Sequence, residues 1–192
     1  MIKTRASPQY DDVGLALAIS SEPIATPTAP DFRALYEAEF SYVLRSLRRL
    51  GVAERDLEDV VHELFLAVRK RLTAYDASRP IKPWLFGFAY RMAADYRRLA
   101  RHGREVFGDA SDIADAGADT EAKIASRVLV NRALTMLPFD QRALLVMHDL
   151  EGHTMHDIAD VLGNPASTLY ARLHVAREAF TVAVRRLEGK IR

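Results

Sequence analysis

Cysteine is absent from the 192 residues. That excludes disulfide frameworks, thiol nucleophiles and metal sites built on thiolates, and it fits a reducing compartment, so the expected location is cytoplasmic. Long apolar runs are absent too. Nothing approaches the ~18–20 residues of a spanning helix, and no membrane insertion is expected. Net charge is nearly absent, since 27 Lys and Arg against 26 Asp and Glu leave +1. Catalytic signatures are also missing. His62-Glu63 lacks the second histidine of a zinc-protease helix, and there is no phosphate-cradling glycine loop, nucleophile elbow or dinucleotide fingerprint. His148, His153 and His156 lie near Asp149 and Asp157, yet no closed ligand set is present. No catalytic residue, metal or cofactor is expected, and the chain does not read as an enzyme.

What is present is globular. Hydrophobic residues make up 49% and charged residues 28%, near the average for folded domains. Charge is distributed unevenly. Residues 31–105 hold 15 basic and 11 acidic residues, residues 106–122 hold five acidic and none basic, and residues 123–192 hold 10 basic and seven acidic. Two mildly basic blocks joined by an acidic connector point softly to an anionic partner.

Residues 1–30 read as a tail, because Pro8, Pro23, Pro27 and Pro30 break any long helix. The apolar run at residues 13–19 reads as a short helix that packs on the body or on a partner. Asp11 and Asp12 directly before it argue against a secretory signal.

From Asp31 the pattern is helical. Phe32, Leu35, Tyr36, Phe40, Val43, Leu44, Leu47 and Leu50 recur at spacings of three and four, and Gly51 is placed to close the helix. A second helix is expected over about residues 54–72 and a third over about 83–102, with Pro83 at its first position. Residues 103–120 are rich in Gly, Ala, Asp and Ser and read as a flexible connector. Beyond it, helices are expected over 121–136, 140–150 with Asp140 as N-cap, 154–162 and 165–187. The chain is therefore expected to be all-α, with two small helical bundles joined by a flexible acidic linker. Its boundaries are a tail at 1–30, a first domain at 31–104, a linker at 105–120 and a second domain at 121–192.

The most specific feature is a short helix ending at Gly163, a tight turn, and a second helix opened by Pro165. This is the helix-turn-helix layout. With Leu169 placed at the core centre of the second helix, Ser167, Tyr170, Ala171 and His174 point outward, Thr168 and Arg177 flank them, and Arg172 lies nearer the core edge. Such a face fits a major groove, although a helical hairpin with no nucleic-acid role has the same pattern. The second feature is the third helix. Trp84, Phe86, Phe88 and Tyr90 are followed by Arg91, Arg97, Arg98, Arg101 and Arg104. Arginine forks bind phosphate and aromatic rings stack unpaired bases, but the same residues describe a core face with a solvated arginine face. The third is the acidic run from Glu54 to Glu63, either dipole compensation or a docking face for a basic partner.

Taken in order, these pieces resemble the extracytoplasmic-function (ECF) sigma factors of bacterial RNA polymerase. In the first block the resemblance rests on Asp56-Leu57-Glu58-Asp59-Val60-Val61-His62-Glu63-Leu64-Phe65, then Tyr75-Asp76 with Arg79-Pro80, then Trp84-Leu85-Phe86. In the second it rests on Leu137-Pro138, Gln141-Arg142, Asp149-Leu150-Glu151-Gly152, Ile158-Ala159, Leu162-Gly163, Arg172-Leu173-His174 and Ala176-Arg177. It covers about residues 31–187. The chain departs from the family pattern at Tyr170 and Val175, where a basic residue is common, and at His62, which replaces a frequent Gln.

The resemblance implies a promoter-specificity subunit without enzymatic activity. Asp56, Glu58, Asp59 and Glu63 would lie at the docking surface for core RNA polymerase. Tyr75, Asp76, Ser78, Arg79, Lys82, Trp84, Arg91, Arg97, Arg98 and Arg101 would hold the melted −10 element. Ser167, Thr168, Tyr170, Ala171, Arg172, His174 and Arg177 would read the −35 element. The implied partners are core RNA polymerase, promoter DNA and an anti-sigma factor. Two alternatives stand beside this reading: a helix-turn-helix DNA-binding regulator of another kind, and a polymerase-binding protein without promoter readout.

Overall fold

Asp31 starts the first helix by accepting a hydrogen bond from the Ala34 amide at 3.1 Å. The computed structural model describes residues 31–102 and 121–191, so the expected tail and connector lie outside the described residues. Helix α1 spans Phe32–Leu50 and ends at Gly51, whose φ of 98° is left-handed. The Val52 amide donates to the Leu47 carbonyl at 3.1 Å and the Gly51 amide to the Arg48 carbonyl at 3.0 Å. This paired closure satisfies carbonyls that the helix end would otherwise orphan. Helix α2 spans Glu54–Arg71, with Glu54 and Asp56 in its first turn and Arg69, Lys70 and Arg71 in its last, each sign matched to the helix dipole. A 3-10 turn over Leu72–Ala74 follows.

Helix α3 spans Ile81–His102, so it starts two residues before the position expected from Pro83. Proline is tolerated there because an amide in the first turn has no intrahelical acceptor to lose.

The remaining described helices are α4 (Glu121–Thr135), α5 (Phe139–Leu145), α6 (Met155–Leu162) and α7 (Ala166–Ile191). The expected continuous helix over 140–150 is corrected. Pro138 occupies the N-cap position of α5, and the helix widens into a π turn over Val146–Leu150. There the Glu151 amide reaches back five residues to the Val146 carbonyl at 3.0 Å. Asp140 is not a cap. Its carboxylate accepts from the Tyr90 hydroxyl of α3 at 3.0 Å, so packing between helices decides its role. Thr154 caps α6 by accepting from the Asp157 amide at 3.2 Å, and Gly163 closes it at φ 65°. Pro165 precedes α7, its carbonyl accepting the Leu169 amide at 3.1 Å. The fold is all-α, and no strand is present among the described residues.

Helices α1, α2 and α3 pack on one another, while α4, α5 and α6 each pack on α7. The two sets also meet, α3 lying against α6 and α1 against α4, α5 and the π turn. One cluster of buried apolar side chains runs through both, from Val43, Leu47, Leu64, Phe65 and Phe86 to Leu134, Leu144, Met147, Ile158 and Leu169. Phe86 is fully buried, whereas Leu66 on the outer face of α2 is exposed. Phe86→Ala is therefore expected to cost about 3–5 kcal/mol of stability. Leu66→Ala should stay within about 0.5 kcal/mol. Urea denaturation followed by circular dichroism checks both.

Candidate nucleic-acid interface

Tyr75 leaves the 3-10 turn and packs its ring 4.9 Å from Trp84, tilted by 44°. Trp84 in turn meets Phe88 edge-on at 4.9 Å, and the Arg91 guanidinium lies over the Phe88 ring at 5.2 Å. The loop between them is folded on itself. Asp76 accepts from the Ser78 amide at 3.0 Å and from its hydroxyl at 2.7 Å, and these bonds hold the Asp76 carboxyl below its ordinary range. The Tyr75 hydroxyl donates to the Arg79 carbonyl. A cleft of about 360 Å³ results, walled by Tyr75, Trp84, Arg79 and Arg91 on one side and by Asp157, Asp160 and Val161 of α6 on the other. Arg79 donates to Asp160 across it.

The other arginines and the lysine expected to face the same ligand are spread along α3. Lys82 lies over the Tyr42 ring at 5.5 Å, Arg97 over the Phe139 ring at 5.1 Å, and Arg98 pairs with Asp95 at 3.1 Å. The Arg101 side chain lies outside the described side chains. The structure therefore brings Tyr75, Asp76, Arg79, Trp84 and Arg91 to one cleft, with Ser78 bonded to Asp76, while Lys82, Arg97 and Arg98 make their contacts elsewhere.

On α2, Glu58, Asp59 and Glu63 are exposed and form an acidic face. Asp56 differs, since its carboxylate accepts from the Tyr96 hydroxyl at 2.6 Å and ties α2 to α3.

On α7 the outward residues are as expected: Ser167, Thr168, Tyr170, Ala171, Arg172, His174 and Arg177 are all exposed, while Leu169 and Leu173 are buried. Two of these cations already have protein partners. Arg172 donates to the Asn164 amide oxygen at 3.2 Å. Arg177 donates to both oxygens of Asp149, at 2.6 and 2.9 Å, a bond that holds the Asp149 carboxyl below its ordinary range. Tyr170 and Val175 remain 59% and 50% exposed. A second cleft, of about 510 Å³, opens between Tyr90 of α3 and Thr168, Ala171 and Arg172 of α7.

A family model for sigma-70, region 4, matches residues 127–180, which include the helix-turn-helix. The ECF RNA polymerase sigma factor SigL of Mycobacterium tuberculosis is 32% identical over 167 residues, covering 85% of this chain and 94% of the relative. The chain belongs to the ECF sigma factor family. The RNA polymerase sigma factor NccH of Alcaligenes xylosoxydans xylosoxydans is 26% identical over 158 residues, covering 78% and 84% of the two chains. Among solved structures, the sigma factor RpoE of Bartonella quintana, crystallised with the anti-sigma factor NepR, matches with a TM-score of 0.61 at 21% identity. That match covers 78% of this chain and 96% of the other and shows a shared fold.

This ECF sigma factor also holds contacts that its sequence does not announce, all where the two helix sets meet. Arg142 is 2% exposed and donates to the carbonyls of Leu50 at 3.2 Å, Thr135 at 2.7 Å and Leu137 at 3.4 Å. Burial, with the Arg97 cation nearby, lowers it to about 10. Arg49 pairs with Glu151. The Tyr42 hydroxyl shares a hydrogen bond with His153 Nε2 at 2.9 Å, and Tyr90, half-buried and bonded to Asp140, is pushed up to about 12. Among the described residues no group of three or more His, Cys, Asp or Glu is placed to hold a metal ion, and no helix is long and apolar enough to cross a membrane.

His153 gives the contact between the sets a pH dependence. Burial lowers its proton affinity, Asp157 of α6 opposes that shift, and Lys82 at the start of α3 adds to it. Tyr42 of α1 faces its ring nitrogen. The packed form therefore binds this proton less well than a separated form with an ordinary histidine. Stability of the contact is full above about pH 6.5 and declines as pH falls through the lower value. Dyes on the two sets should report weaker energy transfer at about pH 5.5 than at about pH 7.5, and His153→Gln should flatten that profile.

Proposed function

We propose that this ECF sigma factor binds core RNA polymerase and directs initiation by reading two promoter elements. Residues 31–104 hold an unpaired −10 strand against Tyr75 and Trp84, with Arg79 and Arg91 on its phosphates. Residues 121–192 place α7 in the major groove of the −35 element, and the segment at 105–120 lets both act at once. Glu58, Asp59 and Glu63 dock on a basic polymerase surface. The role is binding and melting, with no covalent chemistry. An anti-sigma factor is the expected antagonist, as NepR is the anti-sigma factor crystallised with RpoE.

The observation that supports this reading most is the Tyr75–Trp84 ring pair beside two arginines. Every base has a π-face and every nucleotide a phosphate, so this pairing of groups suits a strand taken out of its duplex. Linked binding explains why a chain of net charge +1 can act on DNA. Two weak modules tethered together gain effective concentration that neither has alone.

The test is selection from a random DNA library by core polymerase loaded with this protein. Two separated elements should be recovered. Arg91→Ala should weaken recovery of the element nearer the start site, and Arg172→Ala should relax the upstream one. Recovery of unstructured sequence contradicts the reading.

A second reading, a polymerase-binding protein without upstream readout, is favoured by the exposed apolar Tyr170 and Val175 on α7. It predicts that a stable complex with polymerase forms and that no upstream element is recovered.

A further inference from the structure

The turn between α6 and α7 holds an asparagine that makes two bonds at once. Asn164 stands between Gly163, which closes α6 at φ 65°, and Pro165, whose carbonyl accepts the Leu169 amide of α7 at 3.1 Å. Its Nδ2 donates to the Leu162 carbonyl at 2.8 Å, and its Oδ1 accepts from Arg172 Nη1 at 3.2 Å. A carbonyl can only accept and a guanidinium can only donate, so both bonds require the same orientation of the amide. An aliphatic side chain at this position would make neither bond. Aspartate would keep the acceptor and lose the donor. The end of α6 therefore fixes Asn164, and Asn164 fixes a cation on the outward face of α7.

Arg172 also differs in charge from the other cations of that face. Arg177 is bound by both oxygens of Asp149, and His174 Nε2 lies 3.4 Å from Glu178. Arg172 meets a neutral amide, and no carboxylate or second hydrogen bond engages it among the described residues. One of its five N–H groups is used, which leaves those on Nη2 and Nε for a ligand. Tyr170, 59% exposed, offers contact area there but no charge. A phosphate presents oxygens in several directions, whereas the O6 and N7 edge of guanine accepts a guanidinium fork only in the base plane. A fork held before contact therefore favours base readout, because the ordering of a long side chain is already done.

We infer that Asn164 is a positioning residue for upstream readout. It sets Arg172 to read a single guanine, so that one G·C pair carries most of the upstream preference. This assignment rests on the promoter-reading function proposed above. Both residues belong to the helix-turn-helix, so the bond does not depend on any other helix. Asn164 acts through Arg172.

The test uses core polymerase loaded with the full chain. Initiation is measured on promoters that carry the recovered upstream element, with each of its base pairs changed in turn. One position should prefer guanine over every other base by roughly 5- to 150-fold. Arg172→Ala should abolish that preference and leave the other positions unchanged. Asn164→Ala should lower it roughly three- to tenfold at the same position alone. In the Arg172→Ala background, Asn164→Ala should have no further effect on preference. Asn164→Asp, which keeps the acceptor, should retain most of the preference while weakening use of every upstream sequence alike, since its charge offsets that of Arg172. Circular dichroism and polymerase binding should be unchanged in both Asn164 variants. Positioning is overturned if Asn164→Ala leaves the preference intact or weakens every promoter equally, or if Asn164→Asp loses the preference as fully as Asn164→Ala. The guanine assignment is overturned if Arg172→Ala weakens all upstream sequences alike, as loss of a phosphate contact would. Recovery of no upstream element by the unaltered chain overturns upstream reading itself, and the role of Asn164 with it.

Discussion

Arg142→Ala should destabilise the protein by about 3–5 kcal/mol, because three carbonyls, two of them in buried bonds, lose a charged donor at once. Those carbonyls belong to Leu50 at the end of α1, to Thr135 at the end of α4 and to Leu137 in the turn after it. One side chain therefore ends two helices and joins the two sets. No carboxylate pairs with it among the described residues, so its charge is supported only by carbonyl dipoles, and burial lowers its proton affinity. Arg142→Lys keeps the charge but not the planar fork, and should recover only part of the loss. Urea midpoints read both variants.

Gly51→Ala should also destabilise, for two reasons that can be separated. The left-handed φ of 98° strains any residue with a Cβ, and that Cβ would press on Arg142 Nη1. In the Arg142→Ala background the pressure disappears while the strain remains. The double variant should then be more stable than the sum of the single losses predicts. Strict additivity would show that Arg142 does not occupy the space above Gly51.

Trp84→Ala should reduce open-complex formation by roughly 5- to 150-fold, which is the ~1–3 kcal/mol of one base stacked on an aromatic ring. Trp84 is half-buried, held on one side by Tyr75 and on the other by Phe88. Trp84→Phe keeps a ring in the same place and should retain most activity. Because this is the only tryptophan of the chain, its fluorescence reports contact directly. Addition of a −10 single strand to the protein with core polymerase should quench it, and duplex of unrelated sequence should not. Equal quenching by the −10 strand and by unrelated duplex, with activity still lost in Trp84→Ala, would point to a packing role alone.

Helix ends were the most legible part of the sequence. Gly51 and Gly163 close helices where the sequence places them, because a cap depends only on neighbours within a few residues. The outward face of α7 was equally legible from periodicity, since Leu169 and Leu173 fix which side is buried. Asp140 was misread as a cap because its partner, Tyr90, is 50 residues away. The π turn over Val146–Leu150 leaves no mark in an apolar pattern written at 3.6 residues per turn. Charge roles were the least legible. Nothing in the pattern around Arg142 marks it as buried, and Arg177 points outward yet is bound to Asp149. Periodicity says which face of a helix is apolar but not which helix covers it. The contacts of Arg49, Tyr42 and Arg79 with the second set were therefore not recoverable from the sequence.

The most direct measurement is run-off transcription by core RNA polymerase on recovered promoters, with and without this protein. The account predicts discrete transcripts that depend on the protein, that are lost with Trp84→Ala and that lose upstream preference with Arg172→Ala. A protein that leaves the transcript pattern of core polymerase unchanged, while remaining folded and bound to it, would contradict the claim that it reads promoters.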